Sequence, residues 1–120
     1  MTYRQGNPLA PQAPPRVEFV ESLPFTRRLA GRLTDDDLDA LQRHLVERPD
    51  AGAVVAGTGG CRKLRWGAEG RGKRGGVRVI YYHVTARGRL HLLTLYAKNE
   101  QSDLSPAQRD ALRAVVSLLT

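Results

Sequence analysis

The side chains of this sequence that could do chemistry are mostly lysines and arginines, and they are concentrated in one third of the chain. Between Gly57 and Lys98 there are ten basic residues and one acid, Glu69, so this segment carries +9 while the whole chain carries +7. Such a concentration is typical of a surface that binds a polyanion such as nucleic acid. Exposed hairpins also collect basic residues, so any single charge can equally be a solvated surface group. The ten basic residues are Arg62, Lys63, Arg65, Arg71, Lys73, Arg74, Arg78, Arg87, Arg89 and Lys98.

The alternation of side chains along β-strands determines which of these charges can converge. Apolar residues recur with a period of two in three segments, which predicts three strands. Lys63 and Arg65 share one face of the first strand, and Arg78 shares a face of the second with Tyr82. If helices cover the other side of the sheet, we expect these cations to lie together on its open face. The predicted strands are residues 61–66, 77–84 and 90–97.

A glycine-rich loop joins the first two predicted strands. It has five glycines between positions 67 and 76, and it carries Arg71, Lys73 and Arg74. Such a loop can fold over a phosphate backbone, or it can be no more than a long hairpin connection.

The sequence contains few candidate residues for a metal site or for a cysteine or histidine catalytic site. A hydrolytic metal needs clustered carboxylates, but the run from Asp35 to Asp37 fits better as the acidic first turn of a helix. Cys61 has no neighbouring base, so a packing role is the better interpretation. The three histidines share no predicted face. We therefore expect neither a metal nor another cofactor.

The rest of the chain supplies the elements that hold this sheet. A first strand is predicted over residues 17–22, and a short helix after Pro24. Thr34 is a predicted helix N-cap, with Pro49 ending that helix, and Ser105 caps a last one. The order β-α-α-β-β-β-α predicts an α+β domain, with an antiparallel sheet covered on one face by helices.

The same patterns predict the organisation of the chain. Residues 1–15 form a proline-rich tail that we expect to be flexible, and residues 16–120 a single domain. No run approaches the roughly 18 apolar residues of a membrane span, and no secretory signal is visible. We therefore expect a cytoplasmic protein that does not contact membranes.

Three ordered motifs resemble the HigB branch of the RelE-type toxins of bacterial toxin–antitoxin pairs. They are GTGGCRKLRW at 57–66, GRGKRGGVRVIYY at 70–82 and LLTLYAKNEQSDL at 92–104. The resemblance covers roughly residues 17–120. It implies helices on one face of an antiparallel sheet with basic residues on the other. It also implies metal-independent cleavage of messenger RNA on the ribosome, and neutralisation by an antitoxin, often a helix-turn-helix protein.

The resemblance also assigns roles to residues. Lys63 and Arg65 match the basic pair of the second strand, Arg78 matches the arginine that orients the scissile phosphate, and Lys98 matches the basic residue ending the last strand. The chain departs from the RelE pattern at Asn99, where that branch has a second basic residue. It also departs near Ser105, where that branch has a tyrosine. The general acid and base are therefore left open.

A mechanism can also be argued from charge alone. RNA carries its own nucleophile, the 2′-OH, so the protein needs only to align it, accept its proton and stabilise the phosphate. Arg78 suits the phosphate because its guanidinium donates two hydrogen bonds at once. Lys63 lies between Arg62 and Arg65 in sequence, and like charges would favour its neutral, basic form. Tyr82 is a candidate for base stacking or proton transfer.

Binding to RNA is assigned to further cations. Arg62 and the loop residues Arg71, Lys73 and Arg74 would hold RNA without regard to sequence. Two alternatives stay open at this point, a non-catalytic RNA-binding module and a protein-interaction module, each of which would use the same basic face.

Overall fold

The alternating segments of the sequence form a single five-stranded sheet in a computed structural model that describes residues 17–67 and 76–120. Three helices accompany the sheet in these residues. The strands lie in the spatial order β1-β5-β4-β3-β2. They are β1 (Glu18–Glu21), β2 (Ala53–Val54), β3 (Arg62–Gly67), β4 (Gly76–Val84) and β5 (Arg89–Ala97), and the helices are α1 (Leu23–Arg28), α2 (Asp35–Glu47) and α3 (Pro106–Leu119).

The sheet is mixed, which corrects the expectation of a purely antiparallel one. Strands β2 to β5 pair antiparallel with their neighbours, but β1 pairs parallel with β5. The element order also includes one more strand than expected, because β2 pairs through only two residues with β3. A two-residue strand has no periodicity to detect, and the direction of β1 depends on a partner about seventy residues away in the chain.

The two helix starts that local sequence specifies are confirmed. The hydroxyl of Thr34 accepts a hydrogen bond from the Asp37 backbone N–H at 3.1 Å, and the Asp37 carboxylate accepts one from Thr34 N–H at 2.9 Å. Ser105 and Gln108 make the same reciprocal pair at the start of α3. Each such box satisfies two backbone donors that a helix start leaves unpaired. Helix α1 begins one residue before Pro24, with Ser22 as its cap.

Helices cover both faces of the sheet, which corrects the expectation that they cover only one. On the first face, α1 and α2 bury Phe25 and Leu41 against Val79 of β4. On the second face, α3 buries Val116 against Ile80, the next residue of β4. Because neighbouring strand residues point to opposite faces, these two cores lie on opposite sides of the sheet. The apolar residues of α3 could not indicate which face of the sheet the helix would cover.

A bulge in β5 changes which residues share a face. Tyr81 is paired with Leu92 and Ile80 with Thr94, so Leu93 is an extra residue on β5. Leu92 therefore belongs to the first core and Leu93 to the second. Strict alternation along this strand would place Leu92 and Tyr96 on one face, and the bulge places them on opposite faces.

Part of the predicted organisation concerns residues outside the described ranges. The proline-rich tail, residues 1–15, and the loop cations Arg71, Lys73 and Arg74 all lie there. Across residues 17–67 and 76–120, none of the helices combines the length and apolar character needed to cross a bilayer.

Candidate nucleic-acid interface

A row of two arginines and a tyrosine crosses the second face of the sheet. Arg65 on β3 lies directly opposite Arg78 on β4, and Arg78 lies directly opposite Tyr96 on β5. Neither arginine forms an ion pair within the described part of the chain. Like charges directly opposite each other on a sheet repel. An anion lying across the two arginines would relieve this repulsion.

The row lies at the end of the sheet where β3 ends and β4 begins. The Nη1 atom of Arg78 lies 3.7 Å from the position that a Cβ on Gly76 would take, so the guanidinium extends along β4 towards that end. Lys98 directly follows Ala97, the residue paired with Val77, and is exposed. We call Arg65, Arg78 and Lys98 the cationic end of the sheet.

Lys63 shares this face but has an acidic partner that is distant from it in sequence. Its Nζ lies 3.3 Å from Oδ1 of Asp103, and Oδ2 of the same carboxylate lies 3.1 Å from Nη2 of Arg109. One carboxylate therefore bridges two cations. Lys63 therefore has an acid beside it that its neighbours in sequence do not indicate.

Asp103 is held as a carboxylate by its own surroundings. A hydrogen bond from the Leu104 backbone N–H, at 2.8 Å, is the main cause that lowers the pKa of Asp103, followed by the hydrogen bond from Lys63. The bridge between the two cations is consequently present at neutral pH.

The hydroxyl of Tyr96 is buried beneath these charges. Tyr96 is 1% exposed, and its hydroxyl has no hydrogen-bond partner among the described residues. Burial raises the pKa of Tyr96, as does the charge of Asp103, whereas the charges of Arg78 and Arg109 lower it. The phenol is therefore a protonated donor close to three charged side chains.

Tyr82 lies away from the cationic end, although it shares a face with Arg78 as expected. The two are four residues apart on one strand, about 13 Å at roughly 3.3 Å per residue. Ile80, fully buried, lies between them. The Tyr82 ring lies instead against Gly60, with His91 opposite it on β5. The tyrosine that the structure places beside Arg78 is thus Tyr96.

Arg62 points away from the other cations. As the neighbour of Lys63 on β3, it points to the opposite face of the sheet. Its Nη1 donates hydrogen bonds to the backbone carbonyls of Gly52 at 2.7 Å and Asp50 at 3.3 Å. Its guanidinium is thus engaged in holding the turn before β2. Of the predicted residues, Lys63, Arg65 and Arg78 come together, with Lys98 at the same end of the sheet.

Tyr96, Asp103 and Arg109 also belong to this group, although they were not among the residues predicted from the sequence. Tyr96 could not have been placed beside Arg78, because the register set by the short turn between β4 and β5 would put Leu95 opposite Arg78, and the bulge at Leu93 moves Tyr96 to that position. Asp103 and Arg109 reach the site only because α3 packs on this face, and no local pattern indicates that packing.

The other candidates for chemistry have structural surroundings. Cys61 is fully buried, and burial raises the pKa of its thiol, with a partly opposing hydrogen bond to Thr58. His44 packs on Trp66 with ring centroids 5.2 Å apart. Within residues 17–67 and 76–120, no three His, Cys, Asp or Glu side chains are grouped as metal ligands would be.

No protein-family model matches the chain.

Proposed function

We propose that this chain is a metal-independent endoribonuclease that cuts translated messenger RNA on the ribosome, as the toxin of a toxin–antitoxin pair. The observation that carries the proposal is the direct opposition of Arg65 and Arg78, with no acid paired to either in the described residues. RNA is a polyanion whose phosphates fit guanidinium groups bidentately. The three motifs of the sequence are the second support. An antitoxin would be the protein partner, with the cationic end as the surface it has to cover.

The chemistry would use the nucleophile that RNA already contains. The 2′-oxygen attacks the adjacent phosphorus as its proton passes to water, and the bond from phosphorus to the 5′-oxygen breaks, which gives a cyclic phosphate and, once the leaving oxygen is protonated, a free 5′-hydroxyl. Arg78, helped by Arg65 and Lys98, would stabilise the extra negative charge on the phosphate oxygens in the transition state. Lys63 and Tyr96 lie on the same face of the sheet as Arg78 and are the candidates for protonating the leaving oxygen.

RNA binding without cleavage is the second candidate, and one observation favours it. Lys63 is engaged by Asp103, and Tyr82 lies about 13 Å along the strand from Arg78. Two of the three cations of the cationic end, Arg65 and Arg78, bind phosphate but do not exchange protons near neutral pH. The two candidates predict the same binding and different products.

The test is to separate binding from cleavage at one residue. Arg78→Ala should lower cleavage of a translated message roughly a hundredfold at saturating protein, because a positioned transition-state donor is lost. Ribosome co-sedimentation should fall only modestly, since binding is spread over many charges. Arg43→Ala is the matched control, because Arg43 is an exposed arginine of α2 on the other side of the sheet.

Three results would decide against the proposal. The first is cleavage by Arg78→Ala at the parental rate once it is bound. The second is cleavage that requires an added divalent metal at the protein itself, with ribosome integrity controlled. The third is normal growth of cells that accumulate folded protein. Binding without any products would favour the non-catalytic candidate.

A further inference from the structure

Asp103 holds a position that has the properties of a phosphate site. Its two oxygens lie 3.3 Å from Lys63 Nζ and 3.1 Å from Arg109 Nη2. Two oxygens of a phosphate can accept hydrogen bonds from two cations, as the two oxygens of this carboxylate do. The Asp103 side chain is 48% exposed, so RNA can approach it from solvent.

The Tyr96 hydroxyl adds a donor that the fold itself leaves unused. Buried polar groups in proteins are nearly always hydrogen-bonded, and a buried hydroxyl without a partner destabilises the fold. This hydroxyl lies beside Arg78 in the sheet, and it is close enough to Asp103 and Arg109 to feel their charges. An anion that replaced the Asp103 carboxylate could accept the missing hydrogen bond.

We propose that Lys63, Arg109 and Tyr96 form a second phosphate subsite next to Arg65 and Arg78, and that Asp103 occupies it until RNA displaces the carboxylate. The ligand is a phosphodiester of single-stranded RNA, neighbouring the one held at the cationic end. This inference rests on the proposed function in one respect, which is that the ligand is RNA. Asp103 then acts as an internal competitor that makes binding depend on an exchange of anions.

The test compares two Asp→Asn variants in binding a short fluorescein-labelled single-stranded RNA over a series of KCl concentrations. Asp103→Asn should raise the affinity about fivefold, because two partly exposed ion pairs no longer have to be broken. The slope of log affinity against log salt should steepen by roughly 0.7 for each additional phosphate that the protein neutralises. The asparagine retains the side-chain oxygen that accepts from Leu104 N–H, so the loop is preserved.

Asp39→Asn is the matched control. It removes the same charge and also breaks an ion pair, with Arg43 at 2.9 Å, but on α2 at the other side of the sheet. We expect less than about a twofold rise in affinity and an unchanged slope, as for a distant screened charge. Equal rises and equal slopes for the two variants would overturn the subsite.

A third variant tests the subsite independently of Asp103. Lys63→Gln should lower the affinity and make the slope shallower by roughly 0.7, because one phosphate is no longer neutralised. If Lys63 serves only to anchor Asp103, the slope stays unchanged and the subsite is wrong.

These binding measurements need neither ribosomes nor cleavage, so the subsite and the enzyme can fail separately. If the protein cleaves messages but Asp103→Asn and Asp39→Asn bind RNA equally well, the proposed enzyme stands and the subsite is wrong. If Asp103→Asn alone binds RNA more tightly but no variant cleaves messages, the subsite stands and the enzyme is wrong.

Discussion

The two faces of the sheet each bury one tyrosine of β4 or β5, and the two hydroxyls have opposite surroundings. On the first face the Tyr81 hydroxyl donates to the Pro49 carbonyl at 2.8 Å and accepts from Gly52 N–H at 2.9 Å. On the second face the Tyr96 hydroxyl has no partner in the described residues. Both tyrosines are about equally buried, at 0% and 1% exposure.

The difference shows on which face the hydrogen-bond donors serve the fold and on which face they are available to a ligand. On the first face, Tyr81 ties β4 to the turn before β2, and Trp66 donates to the carbonyl of Asp37 in α2 at 3.3 Å. On the second face, two arginines and a hydroxyl have no acceptor among the residues that the structure describes. Unsatisfied donors cost stability unless a ligand accepts from them. If this contrast is correct, substitutions on the first face should change stability, and substitutions on the second should change binding.

The largest effect is expected for Gly52→Ala on the first face. A Cβ at position 52 would lie 2.9 Å from the Lys63 carbonyl oxygen and 3.0 Å from a ring carbon of Tyr81. Because the first of these is backbone, relief requires the strand to move, and we expect a loss of about 3 kcal/mol in the free energy of unfolding. Gly67→Ala, whose Cβ would meet no heavy atom of the described residues within 4 Å, is the control. Urea unfolding measures both, and a similar loss for the two variants would contradict the close approach at Gly52.

Tyr81→Phe should destabilise the protein by about 2 kcal/mol. The change keeps the ring but removes both hydrogen bonds, leaving the buried Gly52 N–H without its acceptor. The same unfolding measurement checks it. An unchanged free energy of unfolding would show that these two bonds do not distinguish the first face.

Tyr96→Phe should change the free energy of unfolding in the opposite direction, or leave it unchanged. Removing a buried hydroxyl that has no partner among the described residues should leave the protein equally stable or more stable by up to about 1 kcal/mol. RNA affinity should nevertheless fall about tenfold, because a hydrogen bond to a charged phosphate is lost. Thermal unfolding and RNA titration on the same sample give both values. A loss of stability with unchanged RNA affinity would make Tyr96 an ordinary core residue.

The smallest effect is an acid-dependent one at Glu100, outside both faces. Arg32 hydrogen-bonds Glu100 and, with the Ala97 backbone N–H, lowers the pKa of Glu100 from 4.5 to about 2. A carboxyl whose pKa is lower in the folded state stabilises the protein above pH 4.5, and this contribution is lost as the pH falls through about 2. The unfolding temperature of Glu100→Gln should therefore lie below that of the parent at neutral pH, with the gap closing between these values. A gap that is constant with pH would contradict this.

The features that could be predicted from the sequence are those that depend on neighbours in the chain. The caps at Thr34 and Ser105 involve residues three positions apart, and the β4–β5 hairpin has a short turn. The face covered by α3 and the parallel direction of β1 depend on contacts between distant segments, which no local pattern encodes. The bulge at Leu93 could not be predicted either, because an extra residue shifts the alternation of side chains without changing the composition of the strand.

The candidate site divides in the same way. Lys63, Arg65 and Arg78 could be placed on one face from strand alternation alone, and the register confirms that placement. Asp103 could not be associated with Lys63, because the two are forty residues apart and meet only once the segment before α3 folds over the sheet. The residues next to Lys63 in sequence are basic, whereas the folded protein places an acid beside it.

The parallel pairing of β1 with β5 has a consequence for the order in which the protein is made. Glu18 lies opposite Arg89, so β1 leaves the ribosome long before the strand it pairs with. Non-local pairings of this kind form slowly, and an unpaired strand in a nascent chain can associate with other chains. Strand β1 is only four residues long, and its apolar centre, Phe19 and Val20, is flanked by Glu18 and Glu21. Acids that flank a short apolar strand oppose such association, and Glu18 forms an ion pair with Arg89 in the folded protein.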